Sequence, residues 1–269
     1  MGQEQEITFG VAEQMTATLN RGAKDYAFGV ILAHGAGGDS RSGHLRQVVD
    51  ALSKAGFWCL RFDYKPPNLK KRVERFKALL SHAHDLHEKG RIPVKRWILA
   101  GHSMGGRVAS AVAHEKPGVT LGCIFFSYPL HPPNKTSQLR DNPLTALTSP
   151  ILFVRGTNDA FCEHEQFETV KARMTSSDVQ VHAVESGDHS LRAKGGKQAA
   201  ALAVAEAIET AVSFAKRLAD AASATDGTFE DPPDQAGRSA PTERKRSKDA
   251  EAGLDNPTTK KRQRKPKTG

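Results

Sequence analysis

Trp97-Ile98-Leu99-Ala100-Gly101-His102-Ser103-Met104-Gly105-Gly106-Arg107 is the stretch that decides the fold. The apolar run Trp97 to Ala100 predicts a buried strand, and the small residues from Gly105 to His114 predict a helix. Between them stands Gly101-His102-Ser103-Met104-Gly105, a G-x-S-x-G. Such a turn from strand to helix is so tight that only glycine fits two residues either side of the serine. The turn holds the Ser103 hydroxyl out of the sheet at a helix N-terminus, whose dipole favours developing negative charge. A Gly-rich turn alone explains the glycines. The strand and helix around it explain the serine.

A serine hydroxyl needs a base, and the base needs an orienting acid. Both are expected later in the chain, each just after a strand. Asp159 follows the run Ile151 to Val154, within Arg155-Gly156-Thr157-Asn158-Asp159. His189 follows Val179 to Val184, within Gly187-Asp188-His189-Ser190. Adjacent side chains rarely point at one another, so Asp188 is expected to cap its own turn and Asp159 to orient His189. A surface His and a loop-capping Asp are the plain readings, and it is their order and strand positions that count against them. An oxyanion requires two backbone donors. Met104 N–H is one; the glycine-rich loop His34-Gly35-Ala36-Gly37-Gly38 supplies the other, at Ala36 or, one register on, Gly37.

Outward from these motifs, short apolar runs alternate with amphipathic stretches. Ile7 to Phe9 and Met15 to Leu19 predict an opening antiparallel pair, and Phe28 to Ala33 a central strand covered on both faces. Leu45, Val48, Val49 and Leu52 predict a helix ending near Gly56, and Phe57 to Phe62 a strand. Leu69, Val73, Phe76, Leu79, Leu80, Ala83 and Leu86 trace one face of a long helix. Val119 to Ser127 is a further strand, and a helix from about Lys197 to Ala222 closes the domain. The expected architecture is one mostly parallel eight-stranded sheet with helices on both faces, spanning 1–224. Only about 22 residues separate the sixth strand from Ile151, too few for a large lid.

The chain has 269 residues, 38% hydrophobic and 26% charged, with a formal net charge of +9. Residues 225–269 carry five prolines and one aromatic, and read as a disordered basic tail that cannot offset its own chain entropy. Within the tail, Arg244-Lys245-Arg246 and the run Lys260 to Lys265 are 13 residues apart, close to the spacing of a two-cluster nuclear import signal. A nuclear import receptor or an acidic surface is the expected tail partner, and nucleic acid is a weaker one. Three cysteines without paired spacing suit reduced thiols, and Cys162 reads as a small apolar filler. No secretory leader or membrane span is expected, so the protein is placed inside the cell, in cytoplasm or nucleus. His82, His84 and His87 read as a solvated helix edge, with no second ligand cluster; neither a metal nor a cofactor is expected. Lys65, Lys70, Lys71, Arg72, Arg75 and Lys77 read as a solvated helix face, or else as a field attracting anionic substrates.

Together, Ala33 to Gly38, Ala100 to Arg107, Arg155 to Asp159 and Gly187 to Ser190 resemble the α/β-hydrolase superfamily over most of residues 5–222. They look most like the hydrolase-like branch of testis-expressed protein thirty and subunit three of the non-specific-lethal histone acetyltransferase complex, and are also similar to small dienelactone-hydrolase-like proteins. The resemblance implies the fold and a Ser-Asp-His site at Ser103, Asp159 and His189. It names no substrate. The expected function is a metal-independent serine hydrolase acting on a small acyl ester, thioester or similar bond. A hydrolase-fold interaction module in a nuclear complex is the alternative.

Overall fold

The computed structural model describes residues 4–10, 15–24, 26–42, 44–64 and 68–226. Its elements in chain order are strands β1 (Glu4–Phe9), β2 (Met15–Asn20) and β3 (Phe28–Ala33), helix α1 (Leu45–Ala55), β4 (Trp58–Phe62), α2 (Leu69–Glu88), β5 (Arg96–His102) and α3 (Met104–Glu115). Then come β6 (Thr120–Phe126), α4 (Asn142–Thr145), β7 (Ile151–Gly156), α5 (His164–Lys171), β8 (Val179–Val184) and α6 (Gly196–Asp226). One eight-stranded sheet runs in the order β1-β2-β4-β3-β5-β6-β7-β8. The first two strand contacts, β1 with β2 and β2 with β4, are antiparallel, and every later one is parallel.

Alternation within the central strands sends successive side chains to opposite faces. Ile31, Ala33, Trp97 and Leu99 pack on one side with Phe76 and Leu79 of α2, Val108 and Val112 of α3 and Phe167 of α5. Val30, Leu32, Ile98 and Ala100 pack on the other with Val48 and Leu52 of α1 and Phe214 and Leu218 of α6. Burial on both faces is why β3, the middle of β5 (Trp97 to Ala100) and β6 from Leu121 to Phe126 carry no charged residue. Gly56 ends α1 at φ 114°, with its N–H bonded to the Leu52 and Ser53 carbonyls.

Two features depart from the sequence reading. Arg72 does not belong to a solvated face: it is buried, because it follows Leu69 by three residues and precedes Phe76 by four, on the apolar stripe of α2. Lys65, from the same basic stretch, lies outside the described residues. Helix α6 is longer than expected and is apolar enough from Gly196 to Ala224 to cross a membrane by length and composition, yet Phe214, Leu218 and Ala222 are buried among core residues of the sheet. From residue 227 on, the tail lies outside the described residues.

Candidate active site

Ser103 sits between β5 and α3 with φ 52° and ψ −118°, a conformation that costs a non-glycine residue about 1–3 kcal/mol. The glycines around it are there because backbones touch. A Cβ on Gly101 would lie 2.2 Å from the Gly105 carbonyl carbon, and one on Gly105 would lie 2.1 Å from the Ala33 oxygen. Ser103 N–H donates to the Phe126 carbonyl at 2.9 Å, which fixes the turn against β6.

Three sequence-distant residues converge there. Ser103 Oγ lies 2.8 Å from His189 Nε2. His189 Nδ1 lies 2.9 and 2.8 Å from the two carboxylate oxygens of Asp159. Asp159 is buried and also accepts from the Phe161 N–H at 2.8 Å, so its carboxylate cannot swing away from the ring. With Nδ1–H donating to Asp159, Nε2 is left as an acceptor for the serine hydroxyl. Asp188 turns instead to its own loop, accepting from Ser190 N–H at 2.8 Å and Arg192 N–H at 3.0 Å. Burial opposes its ionisation, but those bonds and the Arg192 charge hold its pKa below the ordinary value.

The loops after β7 and β8 are laced together. Thr157 N–H donates to the Val184 carbonyl at 3.0 Å, Asn158 N–H to the Gly187 carbonyl at 2.9 Å, and Ser186 N–H to Thr157 Oγ1 at 2.8 Å. A Cβ on Gly156 would come within 2.1 Å of the Gly187 oxygen. His102, next to the serine, braces the same region by donating Nε2–H to the His189 carbonyl at 3.2 Å. Burial, foremost, lowers its pKa below the ordinary value. His44 meets His102 edge-on at a ring separation of 5.2 Å, and burial together with the His102 charge pushes its pKa down to about 4.

The loop His34 to Gly38 is held from behind. His34 accepts the Tyr64 N–H at Nε2 (3.1 Å) and donates Nδ1–H to the Gly35 carbonyl (2.7 Å). Arg72, stacked 4.4 Å from the Tyr64 ring, donates at 3.4 Å to the carbonyls of both Gly35 and Ala36. In a planar trans peptide the N–H points opposite to the C=O. Tying back the Gly35 and Ala36 carbonyls therefore turns the N–H groups of Ala36 and Gly37 the other way. Among the described residues, neither those N–H groups nor Met104 N–H has an acceptor. Sequence reasoning missed Arg72, whose position on the apolar stripe of α2 was the available signal.

Ser103, His189, Ala36, Gly37 and Met104 all line one cavity of about 1030 Å³. Between β6 and β7 the chain adds only the single turn α4, in keeping with the absence of a large lid. One wall comes from Ala200, Ala201 and Val204 of α6, an element the sequence reading assigned only to closing the sheet. Cys162 is buried, with its thiol pushed up to about 11 by burial, which suits a filler. Among the described residues no group of three or more His, Cys, Asp or Glu has the arrangement of a metal site.

The chain resembles several solved structures at low sequence identity. The Butyrivibrio proteoclasticus protein Est1E matches with a TM-score of 0.63 and 17% identity, over 79% of this chain and 98% of that one. The Pyrococcus furiosus esterase Pf2001 gives 0.66 and 14%, over 80% and 91%. A dienelactone hydrolase from Anabaena variabilis gives 0.58 and 21%, over 77% and 96%. These likenesses establish a common fold. A family model described as an alpha/beta hydrolase domain matches residues 27–216, from just before β3 to well into α6. Those residues hold the sheet's parallel part, the serine turn and both later loops, and the chain accordingly belongs to the alpha/beta hydrolase domain family.

Proposed function

We propose that this protein is a metal-independent serine hydrolase that cleaves a small ester, thioester or similar acyl bond. The reading rests on the continuous chain Ser103 Oγ, His189, Asp159, with links of 2.8 Å at both ends, beside N–H groups that lack acceptors. His189 takes the Ser103 proton as Oγ adds to the acyl carbon, and Asp159 stabilises the imidazolium. The tetrahedral oxyanion receives the N–H of Met104 and that of Ala36, with Gly37 the register alternative. His189 then passes its proton to the leaving alcohol or thiol, and the C–O or C–S bond breaks. Water repeats the sequence on the acyl-serine, giving a carboxylic acid and free Ser103.

Labelling by a serine-directed fluorophosphonate tests this. Wild type is expected to label at Ser103 and to hydrolyse short 4-nitrophenyl esters. Ser103→Ala is expected to lose labelling and at least about 10⁴-fold in rate while remaining folded. Undiminished labelling of Ser103→Ala would mean another nucleophile. An unlabelled wild type would favour the second reading, a non-catalytic interaction module. The closer kinship proposed is with the testis-expressed protein thirty and non-specific-lethal subunit three branch, on the motifs around Gly35, Ser103, Asp159 and His189.

A further inference from the structure

The charges around the reactive cavity are of one sign. Arg140 and Arg192 line it, and no Asp or Glu does among the described residues. Arg192 is already neutralised by Asp188 at 2.9 Å. Arg140 is not. Its backbone is clamped by Tyr128, whose hydroxyl donates to the Arg140 carbonyl at 2.9 Å, and by its own N–H donating to the Leu130 carbonyl at 2.8 Å. The neighbouring carboxylate, Asp141, is engaged by Arg173 at 2.6 Å.

A second guanidinium touches the cavity's lining. Arg107, one turn into α3 from Ser103, places Nη1 3.8 Å from the sulfur of Met104, a residue that lines the cavity. Among the described residues no carboxylate lies within ion-pair distance of Arg107 or Arg140. Arg107 binds its proton less tightly than a free guanidinium, first through burial and then through the charge of Arg140. Two half-buried cations that repel each other are an unfavourable arrangement in an empty protein. An anion held at Arg140 offsets the repulsion and gains charge-assisted hydrogen bonds from its planar fork.

The geometry points to Arg140 as an anion subsite of the cavity, with Arg107 behind Met104 adding to the positive field, so that the acyl substrate carries a second, negatively charged group, a carboxylate or a phosphate. This rests on the hydrolase reading above. The reaction remains hydrolysis: water and a half-ester give a dicarboxylate and an alcohol, and the distal anion stays unchanged throughout.

The full-length protein is assayed on monoethyl succinate, glutarate and adipate beside uncharged ethyl esters of matched length. At the best chain length the half-ester is expected to be preferred in kcat/KM, and Arg140→Gln to reduce that preference about 10- to 100-fold. Arg140→Lys is expected to restore part of it. Arg107→Gln, with its fold checked by circular dichroism, is expected to act in the same direction. Inhibition of the neutral-ester reaction by glutarate and by inorganic phosphate separates the two anion classes. No preference at any length, or equal loss on charged and neutral esters in Arg140→Gln, overturns the anion subsite while leaving the hydrolase reading intact. If wild type neither labels nor turns over, glutarate and phosphate binding by calorimetry to wild type and Arg140→Gln still decides. Binding of either anion that is weakened in Arg140→Gln supports the subsite, and no binding, or binding unaffected by the substitution, overturns it.

Discussion

Arg72 Nη1 donates to the carbonyl oxygen of Gly35 at 3.4 Å, although the two residues are 37 positions apart in sequence. This contact and its neighbour to Ala36 determine which way two peptide planes face, and hence which N–H groups are offered to the oxyanion of the proposed reaction. Arg72→Met keeps the stem and removes both donors. It is expected to lower kcat about 10- to 100-fold with a smaller change in KM, since the lost order matters chiefly in the transition state. Arg72→Lys is expected to recover part of kcat. A change confined to KM would show that Arg72 merely supports the pocket.

Asp159 and Asp188 make opposite predictions. Asp159→Asn removes the carboxylate that fixes the His189 tautomer, and a loss in kcat of about 10⁴ is expected. Asp188→Asn affects a cap on its own exposed turn, and a loss below about tenfold is expected together with a small fall in Tm. Steady-state kinetics on one ester decides between them.

His44 makes stability depend on pH. Its pKa falls from about 6.5 to about 4 on folding, so between those values the unfolded chain binds a proton that the folded one refuses. The contribution is complete above pH 6.5 and is lost as pH drops toward 4. Denaturant titrations at pH 7 and pH 5 are expected to show a fall in unfolding free energy that shrinks by about 2 kcal/mol in His44→Phe. That variant keeps a ring against His102 and Phe126. An unchanged fall would mean that His44 is protonated in the folded protein.

Acyl length is the next test. With only a single turn of helix between β6 and β7, no large cap closes over the cavity there to bury a long chain. Acetyl and butyryl esters are expected to turn over faster than dodecanoyl esters. A series peaking at twelve carbons would refute this.

How much was legible in the sequence depended on whether the determining contacts were local. The serine turn was readable because its glycines, strand and helix are contiguous, and Asp159 and His189 because each directly follows a strand. Arg72 was hidden by its company: four neighbouring cations are ordinary surface residues of a helix, and only the phase of Leu69 and Phe76 marks Arg72 as inward. The position of Arg140 at the cavity depends on how the segment from Pro129 to Arg140 folds back, with Tyr128 as the anchor. No periodicity encodes such a return.

The tail carries a separate proposal. Arg244 to Arg246 and Lys260 to Lys265, which lie outside the described residues, are expected to act as a two-part nuclear import signal. A fluorescent fusion lacking residues 240–269 is expected to leave the nucleus while keeping esterase activity. Equal nuclear signal with and without the segment would leave the clusters as a general polybasic surface.

The crossing of Gly156 over the Gly187 carbonyl has a consequence for how this scaffold can change. With two backbones in contact and laced from Thr157 to Ser186, the loops bearing Asp159 and His189 behave as one rigid plate rather than two independent arms. An inserted residue in either displaces both partners of the Asp159–His189 hydrogen bond at once, so length variation there is closed to drift and to engineering alike. The stretch from Pro132 to Asp141 has no such crossing. New specificity is therefore most readily grafted on that side of the cavity, where the chain can lengthen without disturbing the Asp159–His189 pair.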